Sequence, residues 1–350
     1  MNRPWRRKER APPRQTSAAH RRGGPAFPTY ATNSHLGYGA FAPRAESLPC
    51  HAMGLVLAGL GVLVFSFSLP LTKIAVRGFD PTVAAVGRAA AASVLALIAL
   101  VIVRPPRPTR AQLGRLVLVV AGVIFGFPIL IAYALRHTES LHGSVVNGLL
   151  PLATAGLAVL RAGERPSSAY WACSAVGFAA VVAYVVHEGG GTLHAADALL
   201  ILAVLAAAVG YAEGALLARQ LGGWQVICWA LVLGAPLTWL VTIIAVSRTG
   251  LHASGPQWAA FGYTAVFSMF LGFFAWYAGM ARAGIAKASQ VQLAQPALSM
   301  VWGWPLLGEH LSAAAILTII VVLGAVAVGR NAVVRNSQPI PAPVRDATIM

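Results

Sequence analysis

Residues 144–164 read SVVNGLLPLATAGLAVLRAGE, and residues 289–309 read SQVQLAQPALSMVWGWPLLGE. The two stretches align without a gap at an offset of 145 residues (289 minus 144). Both place a proline inside an apolar run that ends in Gly-Glu; the matched positions are Pro151, Gly163 and Glu164 in the first and Pro296, Gly308 and Glu309 in the second. Matched order and spacing indicate an internal repeat, so we predict that the fourth and ninth helices are equivalent.

Polar residues recur on one face of both stretches, at steps of three, four and three residues. Each proline frees the carbonyl four residues earlier, which belongs to Asn147 or to Gln292. A freed carbonyl in a membrane needs a hydrogen-bond partner. That partner is either a polar solute in a central cavity, or a neighbouring serine or threonine hydroxyl, in which case the proline only bends the helix. We adopt the alternative in which a solute is the partner. It predicts a substrate site of nine residues, of which only Gln295 lies off the shared face: Ser144, Asn147, Pro151, Thr154, Ser289, Gln292, Gln295, Pro296 and Ser299.

The composition identifies a membrane protein. Of the 350 residues 57% are hydrophobic and only 10% charged, with a mean hydropathy of +0.70, whereas soluble domains carry about 25% charged residues. Apolar runs long enough to span a bilayer follow one another along the chain. They predict an all-α protein with ten transmembrane helices, near 53–75, 81–103, 113–135, 141–162, 167–187, 197–218, 223–247, 256–281, 286–307 and 311–330.

The repeat divides the chain into two five-helix halves. Because five is odd, the second half enters the membrane from the opposite side, which makes the two halves an inverted repeat. We predict repeats at 53–188 and 197–330, a Gly-rich joint at 189–196 and a cytoplasmic tail at 331–350. Residues 1–52 form a basic leader of disordered composition, unless translation begins at Met53.

The net charge of +16 raises nucleic acid as a partner, but the distribution of the basic residues argues against it. Nine of the 26 lie before residue 50 and most of the others lie between apolar runs, as topology signals do. With a cytoplasmic N-terminus, twelve Lys and Arg residues fall in cytoplasmic loops and tail, against three on the other side. We predict that both termini are cytoplasmic, that the partners are the lipid bilayer and a small solute, and that no nucleic acid binds.

Four short segments, taken in order, resemble the EamA-type branch of the drug/metabolite transporter superfamily. They are FSFSLPLTK at 65–73, Asp80-Pro81 with Arg88, LRAGER at 160–165 and LLGE at 306–309. The resemblance covers about 53–330 and implies a ten-helix carrier of the bacterial inner membrane that moves small metabolites or toxic compounds, often outward. The chain departs from a symmetric pattern at Pro305, where the fourth helix has Leu160.

Charged and aromatic residues inside the helices are further candidates. Burying Glu213 is costly in a membrane, so it is either a proton-coupling or cation-binding acid, or a carboxylate that pairs with Arg88 or Lys73 or is hydrated at the interface. Arg88 either binds an anionic group or snorkels to the interface. For Glu164 and Glu309 we predict structural contacts with adjacent helix ends or basic loops, because a helix C-terminus disfavours a carboxylate. The candidate lining or anchoring aromatics are Tyr133, Tyr211, Trp276, Tyr277, Trp302 and Trp304.

The sequence predicts a secondary transporter and not an enzyme. It has no Walker motif for ATP, and its histidines and three cysteines lack metal-site spacing, so no cofactor or metal is expected. We predict alternating-access transport, outward, of an amino acid or a similar zwitterionic or neutral metabolite. The alternatives are a channel, a non-transporting scaffold or sensor, and a membrane-embedded enzyme. Ala325 and Gly329 form a small-xxx-small motif compatible with a homodimer.

Overall fold

The computed structural model describes residues 50–188, 195–309, 312–329 and 334–336, in which ten helices follow one another. In the first half these are α1 (Cys50–Ser66 and Ser68–Ala75), α2 (Val83–Val103), α3 (Arg110–His137), α4 (Ser140–Ala162) and α5 (Ser168–Glu188). In the second half they are α6 (Ala195–Leu221), α7 (Gly223–Thr249), α8 (Gly255–Ala283), α9 (Ile285–Gln292 and Ala294–Leu307) and α10 (Ala313–Gly329).

The chain is an all-helical membrane protein. Seven of the described helices are long and apolar enough to cross a bilayer, namely α1 to α4 and α6 to α8. α5 and α10 contain shorter apolar stretches, Ser168–Tyr184 and Ala313–Ala325. Most of the predicted leader, joint and tail lies outside the described residues, although residues 50–52 belong to α1 and residues 195–196 to α6.

Helix ends follow from local sequence. Thr109 opens α3 and Ser254 opens α8, each in a capping box with the glutamine three residues later. Gly163 and Gly308 end α4 and α9 in the left-handed conformation, at φ 65° and 69°, which glycine adopts without a Cβ clash. The Gly-Glu motif therefore turns the chain so that each glutamate leaves its own helix axis.

Three helices are interrupted just before a proline. α1 breaks at Phe67 ahead of Pro70, α4 breaks before Pro151, and α9 breaks at Leu293 ahead of Pro296. Proline lacks an N–H and clashes with the carbonyl four residues earlier. The preceding turn tightens instead, as the bond of 3.1 Å from Leu293 N to Gln290 O illustrates.

Wide π-helical turns replace regular helix in Val83–Gly87 of α2, Val120–Gly126 of α3 and Thr264–Leu271 of α8. Those of α3 and α8 occupy the third helix of each half. Such turns add a residue to the helix and often occur at functional sites. No feature of the hydropathy pattern predicted them.

The packing of helices between the halves has a reciprocal pattern. α1 packs on α8 and α3 packs on α6, while α2 pairs with α7, α4 with α9 and α5 with α10. Small residues allow the close approach: a Cβ added at Gly279 of α8 would collide with the backbone of Ala58 in α1, and one at Gly122 of α3 with the backbone of α6. Contacts between α1 and α8 are therefore matched by contacts between α6 and α3.

A two-stranded antiparallel ribbon completes the described fold. Strand β1 (Glu164–Pro166) follows α4, and strand β2 (Val334–Asn336) follows α10. Glu164 pairs with Asn336 and Pro166 with Val334. The ribbon ties the connection between α4 and α5 to the segment after the last helix, which the sequence did not predict.

Candidate functional site

A cavity lies between helices of both halves, with about 410 Å³ of space between its lining atoms when the adjoining open solvent is counted. α1, α2 and α3 line it from the first half, and α6, α8 and α9 from the second. Three phenylalanines form much of its apolar wall, Phe65, Phe127 and Phe273. Its polar lining consists of Ser68, Arg88, Tyr211, Ser268 and Gln295.

Arg88 is the charged residue of the lining, and its side chain points inward. It follows the wide turn of α2 directly, and only 3% of its surface is exposed. Nη1 donates to Thr72 Oγ1 at 3.4 Å, and Nε has no partner among the described residues. Tyr211 lines the same cavity. The alternative in which Arg88 snorkels to the interface is therefore wrong, because helix packing buries the whole side chain.

The two serines of the lining connect the halves. Ser68 Oγ of α1 and Ser268 Oγ of α8 form a hydrogen bond of 2.7 Å. Gln295 lines the cavity, and its Oε1 lies 3.5 Å from Gln292 Nε2. Tyr211 lies near Gln292 as well. Gln292 thus lies behind Gln295 and Tyr211 rather than in the cavity wall.

Of the nine predicted substrate-binding residues, Gln295 alone belongs to the lining of this cavity. Ser144 and Ser289 donate to the carbonyls four residues earlier in their own helices, at 2.7 and 2.8 Å. Ser299 donates to Ser66 O at 2.6 Å, a carbonyl that Pro70 frees. Those three hydroxyls support the fold in the described arrangement.

The remaining predicted residues are buried near the α4–α9 crossing. A Cβ added at Gly148 in the α4 break would lie 3.4 Å from Pro296, and Pro151 and Thr154 follow on α4. Buried oxygens of Asn147, Thr154 and Gln292 have no hydrogen-bond partner within the described residues; they are Asn147 Oδ1, Thr154 Oγ1 and Gln292 Oε1. The polar faces therefore meet one another beside the cavity.

Glu213 forms ion pairs with two arginines of the first half. The residue is 2% exposed, and its carboxylate accepts from Arg115 Nε at 2.8 Å and from Arg161 Nε at 2.6 Å. The alternative in which Glu213 pairs with Arg88 or Lys73 is wrong. Long side chains at the start of α3 and the end of α4 reach Glu213, whereas Lys73 Nζ donates to Leu135 O and Thr138 O at 2.8 and 2.6 Å.

The two repeat-motif glutamates cap each other's helices. Glu164, at the end of α4, accepts from Ile285 N and Ala286 N at 2.9 and 2.8 Å, at the start of α9. Glu309, at the end of α9, accepts from Ser140 N and Leu141 N at 2.9 and 3.1 Å, at the start of α4. Each carboxylate thus lies at the positive end of a helix dipole.

Further contacts distinguish the two ends of the helix bundle. We call the end that contains Arg115, Arg161 and Arg219 the arginine-rich end; there Arg219 Nη2 also contacts Glu164 at 3.0 Å. At the opposite end, His142 Nε2 contacts Asp197 Oδ1 at 2.5 Å, which joins α4 to α6. The described residues contain no group of three His, Cys, Asp or Glu arranged to hold a metal ion.

Sequence reasoning missed part of the lining. Tyr211 was among the candidate aromatics, and Phe65 and Ser68 fall in the FSFSLPLTK segment. Phe127, Ser268 and Phe273 carried no signal, because apolar runs contain many such residues and the wide turns decide which of them face inward. Of the other aromatic candidates, Trp302 Nε1 donates to Ser66 Oγ at 3.0 Å, and Tyr133 OH bonds with Thr82 Oγ1 at 2.8 Å.

The model of the EamA-like transporter family matches the chain twice, over residues 52–186 and 194–329. The chain belongs to the EamA-like transporter family. It is 42% identical over 278 residues to the uncharacterized transporter YdeK of Bacillus subtilis (strain 168), which covers 79% of this chain and 97% of YdeK. A solved crystal structure has the same fold, with a TM-score of 0.64 at 19% identity over 79% of this chain and 97% of that one.

This EamA-family chain is therefore a multi-pass membrane transporter and not an enzyme. The two family matches correspond to the two halves that the repeated stretches indicated. They support a duplicated architecture around the cavity.

Proposed function

We propose that this EamA-family protein is a secondary transporter with ten spans that moves a small metabolite, an amino acid or a similar compound, by alternating access. The observation that carries the proposal is the cavity between the two halves, lined by α1 to α3 on one side and by α6, α8 and α9 on the other. A solute bound there contacts both halves. Rocking one half against the other would then expose the solute to either side of the membrane.

The reciprocal helix contacts support an inverted repeat. Glu164 caps the start of α9 while Glu309 caps the start of α4, so α4 and α9 run antiparallel. Contacts of α1 with α8 are matched by those of α6 with α3. Two halves related by a pseudo-two-fold axis in the membrane plane can exchange conformations, which gives an inward-open and an outward-open state as alternating access requires.

The arginine-rich end indicates how the protein is oriented in the membrane. Arg115, Arg161 and Arg219 lie there together, and Lys and Arg concentrate on the cytoplasmic side of membrane proteins. We assign this end to the cytoplasm, with both termini inside and the protein in a bacterial inner membrane. The outward direction of transport is what the family resemblance implies.

We propose that the ion pairs of Glu213 hold the cytoplasmic end of the cavity closed. Glu213 lies on α6, two residues after Tyr211 in the cavity lining, and its carboxylate joins Arg115 on α3 and Arg161 on α4. Opening this end requires those ion pairs to separate. Since both carboxylate oxygens are engaged, we favour charge pairing over the proton-coupling role in this conformation.

Transport in proteoliposomes tests the proposal. The purified protein is reconstituted, and flux of a metabolite panel is measured with the solute on one side and with solute on both sides. A carrier gives saturable flux that solute on the far side accelerates. Flux that rises linearly indicates a channel, and no flux of any compound supports a scaffold. The double variant Asn147→Ala/Gln292→Ala tests the polar faces of α4 and α9.

A further inference from the structure

The Arg88 guanidinium is a buried cation without a counter-ion among the described residues. Its side chain lines the cavity, and Nε has no hydrogen-bond partner there. Glu213 is the buried acid closest along α6 to Tyr211, but Arg115 and Arg161 occupy it. An unpaired charge within a membrane protein is costly. Such a side chain is retained where a ligand supplies the opposite charge.

The surrounding groups fit a carboxylate. A guanidinium presents a planar fork that binds both oxygens of a carboxylate. Tyr211 provides a hydroxyl and Gln295 an amide in the same lining. One cation matches one negative charge, so a monoanion fits better than a doubly charged phosphate.

The rest of the cavity fits an apolar body. Phe65, Phe127 and Phe273 surround it with aromatic faces, and Phe65 and Phe273 pack with ring centroids 4.8 Å apart. The lining contains no carboxylate that could pair with an ammonium group. Small-molecule sites usually combine such apolar walls with a few polar groups that fix orientation.

We infer that the transported solute is a small monocarboxylate with an apolar body, and that Arg88 binds its carboxylate. This inference rests on the proposed function, because it assigns the cavity as the transport site. It keeps the carrier of the proposed function but replaces the predicted amino acid or neutral metabolite with a solute that carries a net negative charge.

Calorimetric binding to the purified protein in detergent tests the inference without requiring transport. Phenylacetate, phenylacetamide, phenylalanine and phenethylamine share one ring and differ in charge. We expect phenylacetate to bind tightest, about tenfold tighter than its amide, since one charged hydrogen bond contributes that much. Arg88→Gln should abolish the difference between acid and amide, and Arg88→Lys should retain part of it because the charge remains.

Arg77→Gln is the matched control, because it removes an exposed arginine after α1 and should leave all four affinities unchanged. Equal binding of acid and amide to the unmodified protein, including binding of neither, overturns the inference. Phenylalanine bound as tightly as phenylacetate overturns the preference for a net anion. If Arg88→Gln fails to fold, the affinities of the four compounds for the unmodified protein and for Arg88→Lys still test whether a carboxylate is preferred.

Flux measurements separate this inference from the proposed function. Arg88-dependent binding of phenylacetate with no flux of phenylacetate or of any compound in the metabolite panel leaves the anion site in place and rejects the carrier. Saturable flux of phenylacetamide at the same rate as phenylacetate retains the carrier and rejects the anion site.

Discussion

At the scale of single residues, buried charges divide into two kinds. Glu213 is satisfied by two arginines that are themselves 30% and 51% exposed, so water and the carboxylate share their solvation. Arg88 is buried and lacks such a partner in the part of the chain that the structure describes. The first arrangement stabilises a conformation, and the second is the one for which we infer a bound carboxylate.

Removing the Glu213 carboxylate and removing its two arginines should lower the free energy of unfolding by different amounts. Glu213→Gln leaves two arginines that water can solvate, and we expect a loss of about 1 kcal/mol or less. Arg115→Gln/Arg161→Gln leaves a buried carboxylate unpaired, which should cost about 3–5 kcal/mol. Thermal unfolding in detergent measures both, with the exposed Arg107→Gln as control. Equal losses would show that the carboxylate is solvated after all.

At the scale of helices, the sequence predicted where each helix begins and ends better than it predicted the contacts and wide turns within the helices. Ten apolar runs place every helix to within a few residues, and the repeated Gly-Glu motif identified the equivalence of α4 and α9. The partners of Glu213 lie 98 and 52 residues away along the chain, and no local pattern encodes such distances. The wide turns of α3 and α8 were equally hidden, since they depend on packing against neighbouring helices.

The Glu309 cap of α4 allows a matched comparison at this scale. Glu309→Ala removes the acceptor of Ser140 N and Leu141 N, and we expect it to destabilise the protein by about 1–2 kcal/mol. Glu139→Ala, directly before α4, should change stability little because that side chain makes no cap bond. Chemical denaturation followed by tryptophan fluorescence measures both. A Glu139 effect as large as that of Glu309 would contradict the capping role.

Close packing of α1 and α8 gives a second test at this scale. Gly279→Ala places a methyl group against the backbone of Ala58, so the helices must separate and the melting temperature should fall. Gly324→Ala on α10 meets no atom within 4 Å, and its better helix propensity should leave stability unchanged or slightly raised. A neutral Gly279→Ala would mean that this interface tolerates separation.

At the scale of the whole molecule, alternating access requires the arginine-rich end to open and close. Gln112 at the start of α3 and Gln220 at the end of α6 form a hydrogen bond of 3.0 Å across the halves at this end. Both side chains are accessible to reagents. The pair therefore marks a distance that should change during transport while the cavity itself remains intact.

Cross-linking this pair tests whether the end moves. In a protein whose three native cysteines are replaced by alanine, Gln112→Cys/Gln220→Cys is treated with a short bifunctional thiol reagent. We expect flux to stop and calorimetric binding to persist, because the link holds the two halves together without touching Arg88 or Tyr211. A cleavable reagent should restore flux on reduction, and each single cysteine variant should transport normally throughout. Undiminished flux in the fully linked protein would mean that the halves do not separate at this end, and solute would have to leave the cavity by another route.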